Sequence, residues 1–416
     1  MFLVSAVPCP AQLFKAANGD WPWWRGPKFN GIADADQQIP VEWNQTKNVA
    51  WKISLPGRGH SSPVIVGDRL VLMTADDEDQ IQTVLCFDRR SGDARWAREI
   101  NRGGFQKKIN QKNTYATSTV ACDGERLFAV VSHHGAVYVN ALNLDGFPVW
   151  QRKAGHWVER KYPNGQASSP VLYGDLVIIS ADSEADEGGY IAAFNRRSGE
   201  RVWKTPRPSA SNYGSPVVAH VAGRDQLCIN GCDQLAAYDP VNGKMLWSTP
   251  AKWMQTGGTP VCQDDLVVAS GGYPEPETLC VRADGSGDVV WRNKVKCHVQ
   301  SLLITDGHVY AINDNGVAYC WNLRSGDEMW RKRLRGPISA SPVLVGRTVF
   351  VVNERGTTFV CRVSPERCEL LAENQLGTET FATPTICGDR IFLRVATTME
   401  NERQEWLYCL HKTQEH

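Results

Sequence analysis

The sequence predicts an all-β chain: an eight-bladed β-propeller of four-stranded antiparallel blades, with an N-terminal strand closing the last blade. Three observations carry this reading. Six Gly-x-x-x-Trp pairs recur, namely Gly92/Trp96, Gly146/Trp150, Gly199/Trp203, Gly243/Trp247, Gly287/Trp291 and Gly326/Trp330. With 36 Gly and 15 Trp in 416 residues, chance supplies about one such pair. Each pair ends a unit of roughly 40 to 55 residues that opens on a small residue, Pro and Val. The last unit stops one strand short, at Cys409-Leu410-His411, while Trp51 lies 45 residues before Trp96 with no unit of its own.

Taken in order, the openings are Ser62-Pro63-Val64, Ser169-Pro170-Val171, Ser215-Pro216-Val217, Thr259-Pro260-Val261, Ser341-Pro342-Val343 and Thr383-Pro384-Thr385. Blade 2 varies this as Ser118-Thr119-Val120 and blade 6 as Ser301-Leu302-Leu303. A Gly/Asp turn and an apolar run such as Leu70-Val71-Leu72-Met73 then complete a β-hairpin. The third strand places a small residue before an apolar one and an acid or amide, as in Leu85-Cys86-Phe87-Asp88, Ala192-Ala193-Phe194-Asn195 and Ala236-Ala237-Tyr238-Asp239. A turn such as Arg89-Arg90-Ser91-Gly92 leads to the fourth strand, its Gly free to take a positive φ. Four strands in a unit of this length make a propeller blade. Blade 7, around Val363-Ser364-Pro365, lacks both the turn Gly and the Trp. Blade 8 takes its fourth strand from Val49-Ala50-Trp51-Lys52-Ile53, which hides two sheet edges that would otherwise invite association.

Composition agrees with one large core, at 42% apolar and 22% charged residues. A formal net charge of zero points to neither nucleic acid nor an anionic membrane. No apolar run approaches the roughly 18 residues of a membrane span. The chain divides into residues 1–18, the remnant of a secretory signal or a disordered leader; an extension over 19–48 carrying Trp-Pro-x-Trp-Arg-Gly-Pro; and the propeller over 49–416. Of thirteen cysteines, Cys86, Cys280, Cys320, Cys361 and Cys409 occupy the small-residue slot of the third strand, which Ala141, Ala193 and Ala237 fill elsewhere. Face-packed sheets lie about 10 Å apart, beyond the roughly 7 Å a disulfide allows between Cα atoms, so mostly free thiols are expected. An Asn230-Gly231 hairpin turn would set Cys228 and Cys232 on opposite faces of their ribbon. With no Cys-x-x-Cys pair, zinc and covalent haem lack support. Asp182-x-Glu184-x-Asp186 has Glu187 and Ala193 where a calcium loop needs Gly and Glu, and reads as an acidic hairpin tip. His133-His134 has no third ligand at metal spacing. No metal site and no catalytic residue is assigned.

The Ser-Pro opening, Asp/Asn-x-x-Ser-Gly turn and Trp strand together resemble the pyrroloquinoline-quinone-type repeat of quinoprotein-like eight-bladed propellers, from about residue 43 to 416. Trp21-Pro22-Trp23-Trp24-Arg25-Gly26-Pro27, followed by Asn30-Gly31, is similar to the opening of exported bacterial propellers of this family. The resemblance implies a docking role between adjacent blades for Trp51, Trp96, Trp150, Trp203, Trp247, Trp291 and Trp330. It also implies two functional branches, quinone-dependent dehydrogenases and non-enzymatic relatives that include an outer-membrane assembly lipoprotein. Many of the enzymes hold the quinone between a Trp and a disulfide of adjacent cysteines, beside a Glu/Asn/Asp calcium set and a catalytic Asp. Here no two cysteines are adjacent and that set has no matching motif. Glu379 reads as a loop carboxylate, and a lone carboxylate is no general base.

Two blade-to-blade connections are enlarged. Trp96 to Ser118 spans 22 residues and Trp150 to Ser169 spans 19, against 10 to 12 elsewhere. The first carries Arg102, Lys107, Lys108 and Lys112 without an acid; the second sets Arg152, Lys153, His156, Arg160 and Lys161 against Glu159. Such loops build ligand sites on a rigid scaffold, and the local cationic excess suits an anionic or sugar-like ligand. Residues entering the innermost strands, Arg58, His60, Tyr115, Gln166, Asn212, Tyr213, His298 and Gln300, are expected to ring the channel mouth. Trp157 and Trp253 lie in these connections as stacking or packing residues.

The expected function is therefore a non-catalytic ligand- or protein-binding scaffold of the bacterial envelope, periplasmic or secreted, monomeric and without cofactor. A quinone- and calcium-dependent alcohol or sugar dehydrogenase is the alternative, and a purely structural interaction platform the third reading.

Overall fold

Hairpin after hairpin, the repeat folds into eight blade sheets around one axis, with a ninth, two-stranded ribbon of Trp253–Gln255 and Tyr273–Pro274 beside blade 5. The computed structural model describes residues 16–400 and 402–413; the leader assigned to 1–18 lies outside them up to residue 15, and with it Cys9, the first of the thirteen cysteines. Blade 1 runs outward from the axis as Val64–Val66, Arg69–Asp76, Ile81–Asp88 and Ala94–Arg102, each strand antiparallel to the last. Blades 2 to 6 repeat the plan. Blade 7 gains a fifth strand, Ile32–Ala33, parallel to Val343–Val345. Blade 8 consists of Thr385–Cys387, Arg390–Met399 and Glu402–His411, and its outermost strand is Val49–Leu55. Trp51 pairs with Cys409 there, so the N-terminal strand closes the ring.

The register explains the sequence signature. In every blade the small residue of strand three sits opposite the docking position of strand four: Cys86 and Trp96, Ala141 and Trp150, Ala193 and Trp203, Ala237 and Trp247, Cys280 and Trp291, Cys320 and Trp330, Cys409 and Trp51. In blade 7 Cys361 faces Leu370. A bulge beside this pair recurs in each blade, and such bulges re-aim side chains. The turn glycine answers a second demand. Gly199 has φ +71°, and a Cβ there would lie 2.6 Å from Cδ2 of Trp150 in the preceding blade. The indoles of Trp51, Trp96, Trp203 and Trp291 meet Gly92, Gly146, Gly243 and Gly326 in the same way. Most indole N–H groups donate across the joint, as Trp96 does to Leu144 O at 3.0 Å, Trp291 to Leu323 O at 2.8 Å and Trp330 to Ser364 O at 2.9 Å.

The Ser or Thr that opens each blade also has a task beyond being small. Ser62 N donates to Thr119 Oγ1, Thr119 N to Ser169 Oγ, and Ser169 N to Ser215 Oγ. Thr259 N donates to Ser301 Oγ, Ser301 N to Ser341 Oγ, and Ser341 N to Thr383 Oγ1, all six bonds spanning 2.9–3.1 Å. Hydroxyls thus satisfy the innermost backbone N–H groups, which sheet pairing leaves open. This corrects the opening of blade 2, which begins on Thr119 rather than Ser118. The Asn230-Gly231 turn is corrected as well. Gly231 pairs with Gln234, and Cys232 and Asp233 form the turn with φ of 56° and 59°. Their N–H groups bond to Met254 O and Trp253 O, so tertiary contact moves the turn by two residues. All twelve cysteines from Cys86 to Cys409 are free.

The extension is part of the ring. Trp21 bridges Ile65, and Cys122 N donates to Pro22 O, below blades 1 and 2. Arg25 is fully buried and donates to Pro342 O at 2.9 Å, Asn30 O at 2.9 Å and Leu302 O at 2.5 Å, joining blades 6 and 7. Burial, without compensating charge, pulls its pKa down to about 9. Gly31 lies against this guanidinium, Gly26 against the Trp21 ring, and Trp23 stacks on Phe29 at 4.9 Å. The Trp-Arg-Gly-Pro motif with its Asn-Gly is therefore a plug that crosses one end of the channel.

Candidate functional site

Connections from strand four to the next blade, together with the strand two-to-three hairpins, gather at the end of the channel opposite the plug. They enclose a cavity of about 460 Å³. Its floor is the Trp24 side chain, whose Nε1 donates to Thr259 Oγ1 at 3.0 Å. Above the floor run Ser62, Thr119, Ser169, Ser215, Ser341 and Thr383 of the hydroxyl ring. The wall carries His60, Phe381, Tyr213 and His298, with His60 and Phe381 rings 4.6 Å apart.

The two enlarged loops meet over the mouth. Asn110 Nδ2 donates to Asn164 Oδ1 at 3.0 Å, Asn113 reaches Asn164 O, and Asn164 Nδ2 donates to Tyr213 OH at 2.9 Å. Lys112 extends to blade 7 and pairs with Glu354 at 2.7 Å. Tyr162 OH lies 2.6 Å from Tyr273 OH, tying the second loop to blade 5. Glu159 anchors that loop from beneath by accepting from Gly165 N at 2.7 Å, and burial pushes its carboxyl up to about 7.

The cavity carries little net charge. Lys112 is paired with Glu354, and Asp314 with Lys296 at 3.2 Å. Burial lowers the pKa of both His60 and His298, in His60 reinforced by Arg58, Arg394 and Arg403, so both rings are neutral at neutral pH. Three buried polar atoms on lining residues have no hydrogen-bond partner among the described residues: His60 Nε2, Ser62 Oγ and His298 Nδ1.

Of the residues the sequence singled out, His60, Lys112, Tyr213 and His298 line this cavity. The others do not. Lys107 and Lys108 are exposed on the first loop, away from it. Arg58 donates to Gln111 O at 2.8 Å, Tyr115 stacks on Phe105, and Gln166 donates to Ser168 O at 2.7 Å. Asn212 is buried between Asp182 and Asn230 O, and Gln300 bonds Ile338 O. The three lysines read as one anion site are therefore dispersed, and Lys112 is already neutralised. Trp157 and Trp253 are packing residues, 6% and 0% exposed. Asp182 is buried with Arg207 at 2.6 Å rather than standing at an acidic tip. Glu379 pairs with Arg403 at 2.6 Å, so it does have a partner. His133 stacks on Tyr138 and His134 faces it at 3.0 Å. Sequence reasoning missed Trp24, Asn110, Asn113, Asn164 and Phe381. The unexplained third aromatic of the Trp21-Pro22-Trp23-Trp24 run was the available signal.

Comparison with known proteins identifies the family and the fold. The family model described as "Outer membrane protein assembly factor BamB" matches residues 35–99, 80–332 and 281–368. The chain is 24% identical over 374 residues to the protein of that name from Bordetella pertussis, covering 85% of this chain and 86% of that one. It is 25% identical over 366 residues to its counterpart from Burkholderia pseudomallei, covering 78% and 91%. The solved structure of BamB from Moraxella catarrhalis superposes with a TM-score of 0.60 at 16% identity, over 88% of this chain and 98% of that one. A europium-containing methanol dehydrogenase gives 0.67 at 12%, over 94% and 98%. At these identities the two structures establish the fold alone.

Proposed function

This chain belongs to the family of outer membrane protein assembly factor BamB, and from that premise we propose that it is a non-catalytic, monomeric propeller that binds other proteins on the periplasmic side of the envelope. One observation carries the reading. Exposed apolar side chains recur where strand four begins: Phe147 and Val149 on blade 2, Val202 on blade 3, Val241 and Met245 on blade 4, then Val289 and Met329. Single exposed apolar residues are ordinary, but their recurrence at the same end of strand four on five successive blades supports an interaction surface there. Beside it, Pro148–His156 and Arg201–Arg207 each pair on one side only among the described residues, offering edges to which a partner strand can add. The test is co-purification with outer-membrane barrel-assembly proteins of the source cell from detergent extracts. Phe147→Asp with Val202→Asp should abolish it while leaving the melting temperature unchanged. Association retained in that variant would overturn the proposal.

The dehydrogenase reading fares less well on the residues present. The quinone and its cation need a stacking sandwich and a free carboxylate set. Both carboxylates lining the cavity, Asp314 and Glu354, are ion-paired to lysines, and the channel floor is taken by Trp24. These residues do not fit the group. Titration with the quinone and calcium should show no micromolar binding and no dye-linked oxidation; quinone-dependent turnover would reverse this reading.

A further inference from the structure

The plug turns what would be an open channel into a blind cup, and the lining of that cup is specific in kind. Its floor is an indole fixed by a hydrogen bond to Thr259, and its wall adds Phe381 and Tyr213. Aromatic faces take up the C–H faces of flat, polar rings. Around them stand the side-chain amides of Asn110, Asn113, Asn164 and Asn315 and the hydroxyls of the axial ring, which can each donate or accept. The charges nearby are already matched, Lys112 with Glu354 and Lys296 with Asp314. His60 Nε2, Ser62 Oγ and His298 Nδ1 remain unpartnered among the described residues, and Ser62 is buried while the two imidazoles are part-buried in the wall. A polar atom left without a partner away from water is unfavourable, and a ligand hydroxyl that reaches it removes that cost. The cavity, about 460 Å³, falls within the range of small-ligand sites.

We propose that the cup binds one or two rings of a neutral saccharide, stacked on Trp24 and hydrogen-bonded by the asparagines and the unpartnered His60, Ser62 and His298. This site is separate from the exposed band that carries the protein-binding reading, so either can fail alone. Because the floor is closed, the site reads free sugars or chain ends and has no room for the interior of a polymer. The shape excludes a through-passing chain, and the matched charges disfavour an ionic one.

Calorimetric titration of the full chain tests this with maltose, N,N′-diacetylchitobiose, linear maltohexaose, α-cyclodextrin and gluconate as probes. Saturable one-to-one binding of a neutral disaccharide is expected. Maltohexaose binding with α-cyclodextrin inert would identify chain ends as a source; maltose alone would identify free sugar. Trp24→Ala should weaken binding at least about tenfold, which corresponds to about 1.4 kcal/mol. His298→Ala should weaken it also, and serves if removing Trp24 unsettles the plug, since the His298 imidazole Nδ1 has no bond within the protein to lose. Absence of binding by every neutral saccharide, preference for gluconate, equal binding of α-cyclodextrin, or affinity unchanged in both variants would each overturn the proposal.

Discussion

Replacing Gly199 by alanine isolates the joint between blades 2 and 3. The cost has two parts. At φ +71° an alanine pays about 1–2 kcal/mol for the left-handed conformation. Its methyl group would stand 2.6 Å from Cδ2 of Trp150, which is 7% exposed and has little room to retreat. Overpacking of that kind adds about 1–3 kcal/mol. Gly199→Ala should therefore destabilise the protein by about 2–5 kcal/mol. Trp150→Ala alone should cost about 3–5 kcal/mol as a large core truncation. In the Trp150→Ala background the clash has no partner, and Gly199→Ala should cost only about 1–2 kcal/mol. Urea unfolding followed by far-ultraviolet circular dichroism reads all four proteins without relying on the altered indole. Midpoints are compared at constant slope, because a ring of neighbour-coupled blades need not unfold in one step. An equal cost of Gly199→Ala in both backgrounds would refute the claim that the glycine is there for the tryptophan.

Trp51→Ala should lower stability by about 3 kcal/mol, the low end for such truncations because the indole is only half-buried; a loss under about 1 kcal/mol would show that ring closure does not depend on it. Glu405→Gln should cost about 3–5 kcal/mol in the same unfolding assay, since it strands the buried Arg394, now 2.5 Å from Glu405, whereas Arg394→Met with Glu405→Leu should be milder; equal losses would argue against charge as the cause. Glu159 has a folded pKa raised by burial to about 7, so the folded form holds its proton more tightly than the unfolded chain does. Its contribution is full below the ordinary carboxyl range and is lost as pH rises toward 7, so amide protection around residues 157–166, after correction for the intrinsic base-catalysed rate, should fall over that interval in the native protein and stay level in Glu159→Gln. Thiol counting on unfolded, unreduced protein should find the cysteines from Cys86 to Cys409 free; four or more disulfides would contradict the third-strand register.

The blades were legible because their determinants are local. A Gly-x-x-x-Trp spacing encodes both a left-handed turn and a strand, and counting strands in the last unit sufficed to send Val49–Leu55 to blade 8. The cavity was less legible. Loop length located the mouth, yet whether Gln166 or Asn164 faces inward depends on bends in an irregular segment that no periodicity describes. Trp24 contacts Thr259 across 235 residues, a pairing that no neighbouring residue announces. The hydroxyl ring was readable in principle. The openers are Ser or Thr without exception, never Ala or Gly, and size alone does not account for that choice. The Cys232-Asp233 turn shows the opposite case, where a strong local Asn-Gly signal yields to hydrogen bonds from a distant segment.

Closure by Val49–Leu55 has a consequence for the order in which the protein is made. Gln404 reaches Leu55 O across 349 residues, so Val49–Leu55 leaves the ribosome well before Glu402–His411, the strand it pairs with in its sheet. Throughout synthesis or export, an unsatisfied edge stays available on that strand while seven blades assemble behind it. Pairings so distant form slowly and leave such edges open to wrong partners. A protein built this way gains from a chaperone that shelters the waiting strand, and the plug residues that precede it can dock on the ring only once the blades they span exist.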